Sequence, residues 1–363
     1  MSGQDVFLTG FPGFIAGRLV EKLIEQHPED TRYLFLVEPR FAFEAQARCQ
    51  ALEADHPTFA DHWHVIEGDI RQPDLGMTAE ALTLVRERTG VVWHLAALYD
   101  LAASLSTAYA VNVEGTLNVL DLCETLPHLQ RLNYVSTCYV SGDRTGRVYE
   151  DELDVGQDFK NHYESTKCWA EKHVQRRWER IPTAIIRPGI VVGDSRTGET
   201  AKGDGPYFVM RLLFNTPRWL PMVNIGKGEA KQNLVPVDYL IDAMARIAAD
   251  DGAAGKVFQI ADPNAFTAAE ILNQMVKEMG RARVLASVPA GLMSRVLKRG
   301  RIRRPLQMPR EMVDYFNTKS EFDVTNTVKV LEGSGLTCPR FFDYMPRLIE
   351  YARHNPEIFV EVH

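Results

Sequence analysis

Residues Thr9 to Gly17 read TGFPGFIAG, directly after the apolar run DVFL and directly before the amphipathic continuation GRLVEKLIEQ. A strand that runs into such a stretch and turns at once into a helix uses its small residues for separate purposes. Gly10 permits the tight turn, Gly13 lets the backbone approach a pyrophosphate, and Ala16 lets helix and strand pack closely. Phe11, Pro12, Phe14 and Ile15 complete the loop, and the helix N-terminus that follows faces the anion. A lone glycine-rich match says little, because turns everywhere use glycine. Its position in a first βα unit makes a dinucleotide site the expectation.

The alternation continues outward from this loop. Apolar, β-branched runs (YLFLVE, HVIEGDI, GVVWHLAA, RLNYVST, TAIIRPGIVVG) are separated by amphipathic segments such as AFEAQARCQALEA. Strands alternating with helices at this spacing predict βαβ units, and hence an α/β, Rossmann-type doubly wound parallel sheet. After Gly193 the pattern weakens into residues 194–229, rich in Gly, Pro and polar side chains. NLVPVDYLIDAMARIAAD then reads as a helix and GKVFQIA as a strand. From Asp262 the chain turns to helical segments, TAAEILNQMVKEM and FFDYMPRLIEYARHN, among Pro-punctuated loops. The expected organisation is an NAD(P)-binding domain over 1–193, completed by 230–261, and a smaller substrate-binding domain from 194–229 and 262–363.

Composition narrows the class. With 363 residues, 45% hydrophobic and 25% charged, the chain matches an ordinary soluble globular protein. A net charge of -7 argues against a nucleic-acid binder. Five cysteines without close paired spacing indicate neither a disulfide framework nor a zinc site, and no metal is expected from His62 and His64, which lack a third ligand nearby. The N-terminus has no basic lead, and VVWHLAALYDLAASL is too short and too interrupted to span a bilayer, so a cytoplasmic location is the expectation.

The end of the second predicted strand should carry the group that reads the adenosine ribose. Glu38, 25 residues beyond Gly13, stands there and favours NAD, because a carboxylate accepts from ribose hydroxyls and repels a 2′-phosphate. Arg40, two residues on, can instead pair with a 2′-phosphate or be a solvated turn residue. Asp69 and Ile70 of GDI, and Ala96 and Ala97 of HLAA, fall at the ends of the third and fourth strands, where adenine and its ribose would lie. His94 there reads as a satisfied strand-end histidine rather than a catalyst.

Further along, HYESTKC sets Tyr163 and Lys167 four residues apart in a helical segment, on one face of it. Alone, that is equally a half-buried phenol beside a snorkelling lysine. With the loop at Thr9–Gly17, a strand ending Tyr134-Val135-Ser136-Thr137, and this pair, the chain resembles the extended short-chain dehydrogenase/reductases over nearly its whole length. TGFPGFIAG is similar to that family's TGxxGFxG loop, VNVEGTLNVL (Val111–Leu120) to its NVxGTxN helix, and YESTK to its YxxxK helix, with Ala16 where a third glycine is usual. RPGIVVGDSRTGE (Arg187–Glu199), GDGPYF (Gly203–Phe208), NLVPVDYLIDA (Asn233–Ala243) and the ending GLTCPRFFDYMPRLIEYARHNP resemble the subgroup of fatty acyl-CoA reductases and the thioester-reductase domains of carboxylic acid reductases. That subgroup favours NADPH and carries Arg near the second strand end, where this chain has Glu38. The cofactor implied is NAD(P)H, with Glu38 leaning to NAD and the subgroup to NADP.

The resemblance implies a chemistry. Hydride arriving at a carbonyl leaves charge on oxygen, which must receive a proton as it develops. A tyrosine serves as that acid when its pKa is drawn below the ordinary value near 10, and the Lys167 ammonium one turn away is expected to draw Tyr163 down. Lys167 would also hold the nicotinamide ribose. A second donor at the fifth strand's end falls on Thr137, with Ser136 the alternative, because neighbours on a strand face opposite ways. Pro188, Gly189 and Ile190 are placed with the cofactor, as is Asn112, either as an anchor behind Lys167 or as a structural mid-helix residue. Cys138 and Cys168 flank these segments but read as small buried hydrophobes.

The expected activity is hydride transfer to a lipid-like acyl thioester, CoA-linked or on an acyl carrier protein, or to an aldehyde. A secondary-alcohol or keto dehydrogenase on a hydroxy lipid or hydroxysteroid is the alternative, and a non-catalytic dinucleotide sensor the third. The basic stretch 292–310 suggests contact with CoA phosphates or peripherally with an anionic membrane, or merely a solvated helix. A homodimer is common in the family.

Overall fold

The computed structural model describes residues 5–26, 31–225, 228–281, 283–288 and 319–359. The basic stretch 292–310, and with it the expected phosphate or membrane contact, lies outside the described residues. In the first half of the chain, β1 (Asp5–Thr9), α1 (Phe14–Gln26), β2 (Tyr33–Val37), α2 (Ala42–Asp55), β3 (Trp63–Glu67), α3 (Ala79–Arg88) and β4 (Thr89–His94) alternate strictly. Next, α4 (Leu105–Tyr109) passes through a π-helical turn at Ala110–Glu114 into α5 (Gly115–Glu124), followed by β5 (Arg131–Val135). The second half runs β6 (Gly146–Val148), α6 (His162–Gln175), β7 (Thr183–Pro188), β8 (Ile190–Val192), α7 (Pro206–Asn215), β9 (Met222–Ile225), β10 (Leu234–Pro236), α8 (Val237–Ala248) and β11 (Lys256–Ile260). It closes with α9 (Ala268–Glu278), β12 (Val284–Val288), β13 (Ser320–Phe322), α10 (Thr325–Leu331) and α11 (Phe341–His354).

Seven strands form one parallel sheet in the order β11-β7-β5-β4-β1-β2-β3. This is the doubly wound arrangement the alternation predicts, with the order reversing between β1 and β4, where such sheets bind ligands. All its strands but the edge strand β3 are largely buried on both sides, so alternate residues feed two cores. Val6 and Leu8 of β1, Phe35 of β2 and Trp93 of β4 pack against α1, α2 and α8. Phe7, Leu34, Leu36 and Val92 face α3, α5 and α6 on the other side. That two-sided burial is why these runs read as continuous apolar stretches.

A third core lies apart from the sheet. Tyr207, Met210 and Leu213 of α7, Ile271, Met275 and Val276 of α9, and Phe341, Tyr344, Met345, Leu348 and Ile349 of α11 close on one another. A capping box starts α9: the Thr267 hydroxyl accepts from the Glu270 amide, and the Glu270 carboxylate accepts from the Thr267 amide.

The structure corrects several sequence expectations. TAIIRPGIVVG is two strands rather than one: β7 belongs to the main sheet, while β8, beyond Gly189, pairs with β10. A Cβ at Gly189 would lie 2.6 Å from the Asn233 carbonyl oxygen, so the break depends on two chains crossing closely. NLVPVDYL begins as strand β10 before its helix. Residues 194–229 hold α7 and β9, whose register was hidden by flanking Gly and Pro. Leu331 of α10 packs into the sheet's core although it falls inside 262–363, because α10 covers α8 and β11.

Candidate active site

The C-terminal ends of β1, β2, β4, β5 and β7 open into a single elongated cavity of about 720 Å³. Its first wall is the loop Gly10, Phe11, Pro12, Gly13, Phe14 and Ile15. Gly10 has φ +93°, and a Cβ there would sit 2.8 Å from the Ala96 amide nitrogen; one at Gly13 would sit 2.8 Å from the Gly10 carbonyl oxygen. The bare backbone thus makes a cradle that side chains would fill, open toward the N-terminus of α1. This fits a pyrophosphate. Phe11 turns away from the cradle and stacks on Phe35, ring centroids 4.3 Å apart, which ties the loop to β2.

Glu38, Arg40, Asp69, Ile70, Ala96 and Ala97 line the adjoining section. Glu38 and Arg40 are not competing alternatives in space, for they pair with each other at 3.0 Å. Arg71, which the sequence reading did not single out, bonds Asp69 through two nitrogens and lies 3.9 Å from Glu38. Its hydrogen bonds hold the Asp69 carboxyl below the usual carboxylate range. The ribose edge therefore presents two carboxylates and two guanidinium groups.

Deeper in, α6 presents Tyr163 half-buried and Lys167 only 3% exposed, both on the cavity wall. The helix starts at Asn161, whose side chain accepts from the Glu164 amide at 3.0 Å, so its first turn is fixed where Tyr163 leaves it. The Lys167 ammonium donates to the Val135 carbonyl (2.8 Å) and the Tyr134 hydroxyl (3.2 Å), over whose ring it sits at 4.6 Å. Burial draws its pKa down to about 8 against the opposing charge of Glu171. Burial pushes the Tyr163 phenol up, and the countering hydrogen bond comes from Thr137 rather than from Lys167. In this respect the structure departs from the sequence expectation: the ammonium is turned to β5, and low polarity dominates the phenol.

The Thr137 hydroxyl accepts from the Tyr139 amide at 3.2 Å, and Thr137 lines the cavity together with Tyr163. The Ser136 hydroxyl donates instead to Glu171 at 2.5 Å. Both residues line the cavity and face α6, Thr137 near Tyr163 and Ser136 two turns further along the helix at Glu171. Glu171, one turn beyond Lys167, forms a fully buried ion pair with Arg187, with contacts at 2.6, 3.1 and 3.1 Å. Arg187 was quoted in the sequence only as part of a motif, and Glu171 carried no signal; only their partnership across 16 residues reveals them.

Asn112 does not reach the cavity. From the π-helical turn it accepts from the Leu98 amide (2.8 Å) and donates to Thr166 (3.0 Å), pinning the segment after β4 to α6. It is a structural anchor behind the wall, and the wider turn is what aims it there. His94 is buried between Thr9 (2.8 Å) and Thr116 (3.1 Å), and burial lowers its pKa to about 3. Cys138 and Cys168 are buried, with Cys168 raised to about 12, so neither supplies a thiolate near neutral pH.

Beyond Tyr163 the cavity continues past Pro188, Gly189 and Ile190 into the third core's territory. Its walls there are Phe208, Val209, Leu212, Met222, Leu234, Ile271 and Leu272. Two polar side chains also line the cavity: Tyr99, which the sequence reading did not single out, and Asp204, quoted there only as part of GDGPYF. Tyr99 meets Tyr163 edge-on, centroids 5.1 Å apart at 88°.

A Rossmann sheet, a backbone cradle at its switch point, and a Thr-Tyr-Lys group beyond it define an extended short-chain dehydrogenase/reductase, an NAD(P)-dependent oxidoreductase class. Residues 8–244 match the family described as male sterility protein, an NAD-binding family, and the chain belongs to it. Among curated proteins it is similar to fatty acyl-CoA reductase wat of Drosophila melanogaster, 28% identical over 281 residues, covering 68% of this chain and 54% of that protein. Fatty acyl-CoA reductase 1 of Gallus gallus is likewise 28% identical over 283 residues, 66% of this chain and 53% of that protein. The chain spans about half the length of these relatives. Among solved structures, the terminal R domain from the myxalamid PKS-NRPS biosynthetic pathway superposes with a TM-score of 0.81 at 26% identity, covering 98% of this chain and 92% of that one.

Proposed function

We propose that this chain is an NAD(P)H-dependent reductase of a lipid-like acyl thioester, CoA-linked or carrier-bound, with Tyr163 as the proton donor. The observation that carries the reading is the continuity of the cavity: a phosphate cradle at one end, Tyr163 in the middle, and an apolar channel for a chain beyond. Such a channel suits a long hydrocarbon because burial of each methylene contributes about 0.8 kcal/mol. The names of the fatty acyl-CoA reductase relatives support the same substrate class.

The bound cofactor supplies the hydride. The loop Gly10 to Ile15 would hold its pyrophosphate at the N-terminus of α1, and Glu38, Arg40, Asp69 and Ile70 would flank the adenosine, with Ala96 and Ala97 against it. Pro188, Gly189 and Ile190 close the far side. Thr137 and Tyr163 both direct donors at the carbonyl oxygen, where charge develops. Lys167 would turn from the Val135 carbonyl to bond the nicotinamide ribose and so favour the phenolate left on Tyr163.

Incubating the protein with NADH or NADPH and a panel of long-chain acyl-CoAs, aldehydes and ketones, while following cofactor absorbance and free thiol together, tests the substrate class. Equimolar thiol release from acyl-CoA is expected. Cofactor oxidation by ketones without thiol release from any thioester would reject it in favour of a keto dehydrogenase.

A pH dependence follows from Lys167. Its ammonium persists below about pH 8 and is lost as pH rises through that value. With an aldehyde as substrate, kcat/KM is expected to be level up to about pH 8 and to fall about tenfold per unit beyond it. A profile level to pH 10 would remove Lys167 from its assigned role.

A further inference from the structure

Four charged side chains meet where the ends of β2 and β3 reach the cavity, in an arrangement that the cofactor reading above leaves unused. The two strands run parallel with Val37 opposite Glu67, so the turns that follow them emerge side by side. Glu38 and Arg40 come from the first turn, Asp69 and Arg71 from the second, and all four line the cavity wall. The Arg40 guanidinium grips the Glu38 carboxylate with both sides of its fork, Nε on Oε2 at 3.0 Å and Nη2 on Oε1 at 3.2 Å. It also lies over the Phe41 ring, 4.5 Å from the centroid. From the end of β3, Arg71 brings its Nη2 to 3.9 Å from the same Glu38 Oε2. Arg71 does not depend on Glu38 for its place, because Asp69 holds it through Nη2 at 2.7 Å, Nε at 2.9 Å and the backbone amide at 2.9 Å.

One carboxylate oxygen set between two guanidinium groups has the surroundings of a bound phosphate oxygen. We propose that this edge is a two-arginine site for the 2′-phosphate of NADPH which Glu38 already fills, so that the protein takes NADH and rejects NADPH. This rests on the placement of adenosine beside Glu38 and Ile70 in the reading above, and not on what the acyl substrate is.

Electrostatics sets the direction. A 2′-phosphate brings about two negative charges near neutral pH, whereas NADH brings a hydroxyl, from which the Glu38 carboxylate accepts. Glu44 of α2 also lines this wall, so three carboxylates face two guanidinium groups and the edge has an excess of negative charge. Arg40 and Arg71 are 69% and 44% exposed, so neither ion pair is strong enough by itself to keep a phosphate out. The exclusion comes from the carboxylate that would stay wedged between the phosphate and its two cations. Neutralising Glu38 reverses the balance: Asp69 still holds Arg71, Phe41 still carries Arg40, and both guanidinium groups then turn to the phosphate.

The experiment titrates the full chain with NADH and with NADPH, without acyl substrate, and reads each Kd by fluorescence. Wild-type protein is expected to bind NADPH about tenfold to a hundredfold more weakly than NADH, the scale of like charges forced together. Glu38→Gln, which keeps the shape and one acceptor, is expected to reverse that preference. Adding Arg71→Met to it is expected to return the ratio toward the wild-type value. Binding of 2′,5′-ADP, which carries the phosphate without the nicotinamide, should tighten in Glu38→Gln along with that of NADPH. Wild-type protein that binds NADPH as tightly as NADH, or a Glu38→Gln ratio equal to the wild-type one, overturns the assignment. A gain in NADPH binding that survives Arg71→Met overturns the two-arginine site. Protein that binds NADH as expected yet releases no thiol from any acyl-CoA sinks only the thioester reading.

Discussion

Tyr163→Phe is expected to lower turnover by about 10² to 10⁴-fold, the usual worth of a positioned proton donor, with affinity for NADH or NADPH nearly unchanged. The substitution removes one oxygen and little else. The ring keeps its edge-on contact with Tyr99, the helix keeps its Asn161 cap, and the Thr137 hydroxyl keeps the Tyr139 amide as a partner. What disappears is the acid, and water cannot replace it well in so apolar a cavity. Cofactor titration by protein fluorescence, set beside turnover, checks both halves; wild-type turnover in the variant would sink the assignment.

The second large effect concerns stability. Glu171→Ala leaves the Arg187 guanidinium, only 1% exposed, with the Glu150 carbonyl at 3.3 Å as its remaining acceptor. An uncompensated buried charge of this kind costs about 3–5 kcal/mol, a large part of the roughly 5–15 kcal/mol by which domains are stable. Melting on the order of 10 °C lower is expected, and Glu171→Gln, which keeps an acceptor and the shape, should lose less. Glu171 also holds the Ser136 hydroxyl and raises the pKa of Lys167 against burial. Any activity that survives should therefore show its alkaline limb below pH 8. A variant with unchanged melting would mean that Arg187 finds another partner or leaves the core.

The reading of the fold from sequence succeeded where one local rule governs. TGFPGFIAG had to be a strand-turn-helix because Gly10's left-handed φ and the close approach of Ala96 admit no side chain. The strands around it were legible because burial on both faces makes β2, β4 and β7 mostly apolar. It failed where pairing partners are distant. Nothing in RPGIVVG marks Gly189 as the point where one strand leaves the sheet and another joins β10, since the cause is Asn233, more than 40 residues on. The helix α7 escaped notice because its boundaries sit among glycines and a proline that read as loop.

For the site the division is similar. YESTK by itself placed a phenol and an ammonium on one helical face, because that follows from backbone periodicity. The direction in which the Lys167 ammonium points, the pairing of Glu38 with Arg40 and of Glu171 with Arg187, and the edge-on meeting of Tyr99 with Tyr163 were decided only by the tertiary structure. Periodicity fixes which residues share a face of one element. Which charges lose their water, and what they find in its place, depends on how separate elements close on each other, and a sequence carries no local mark of that.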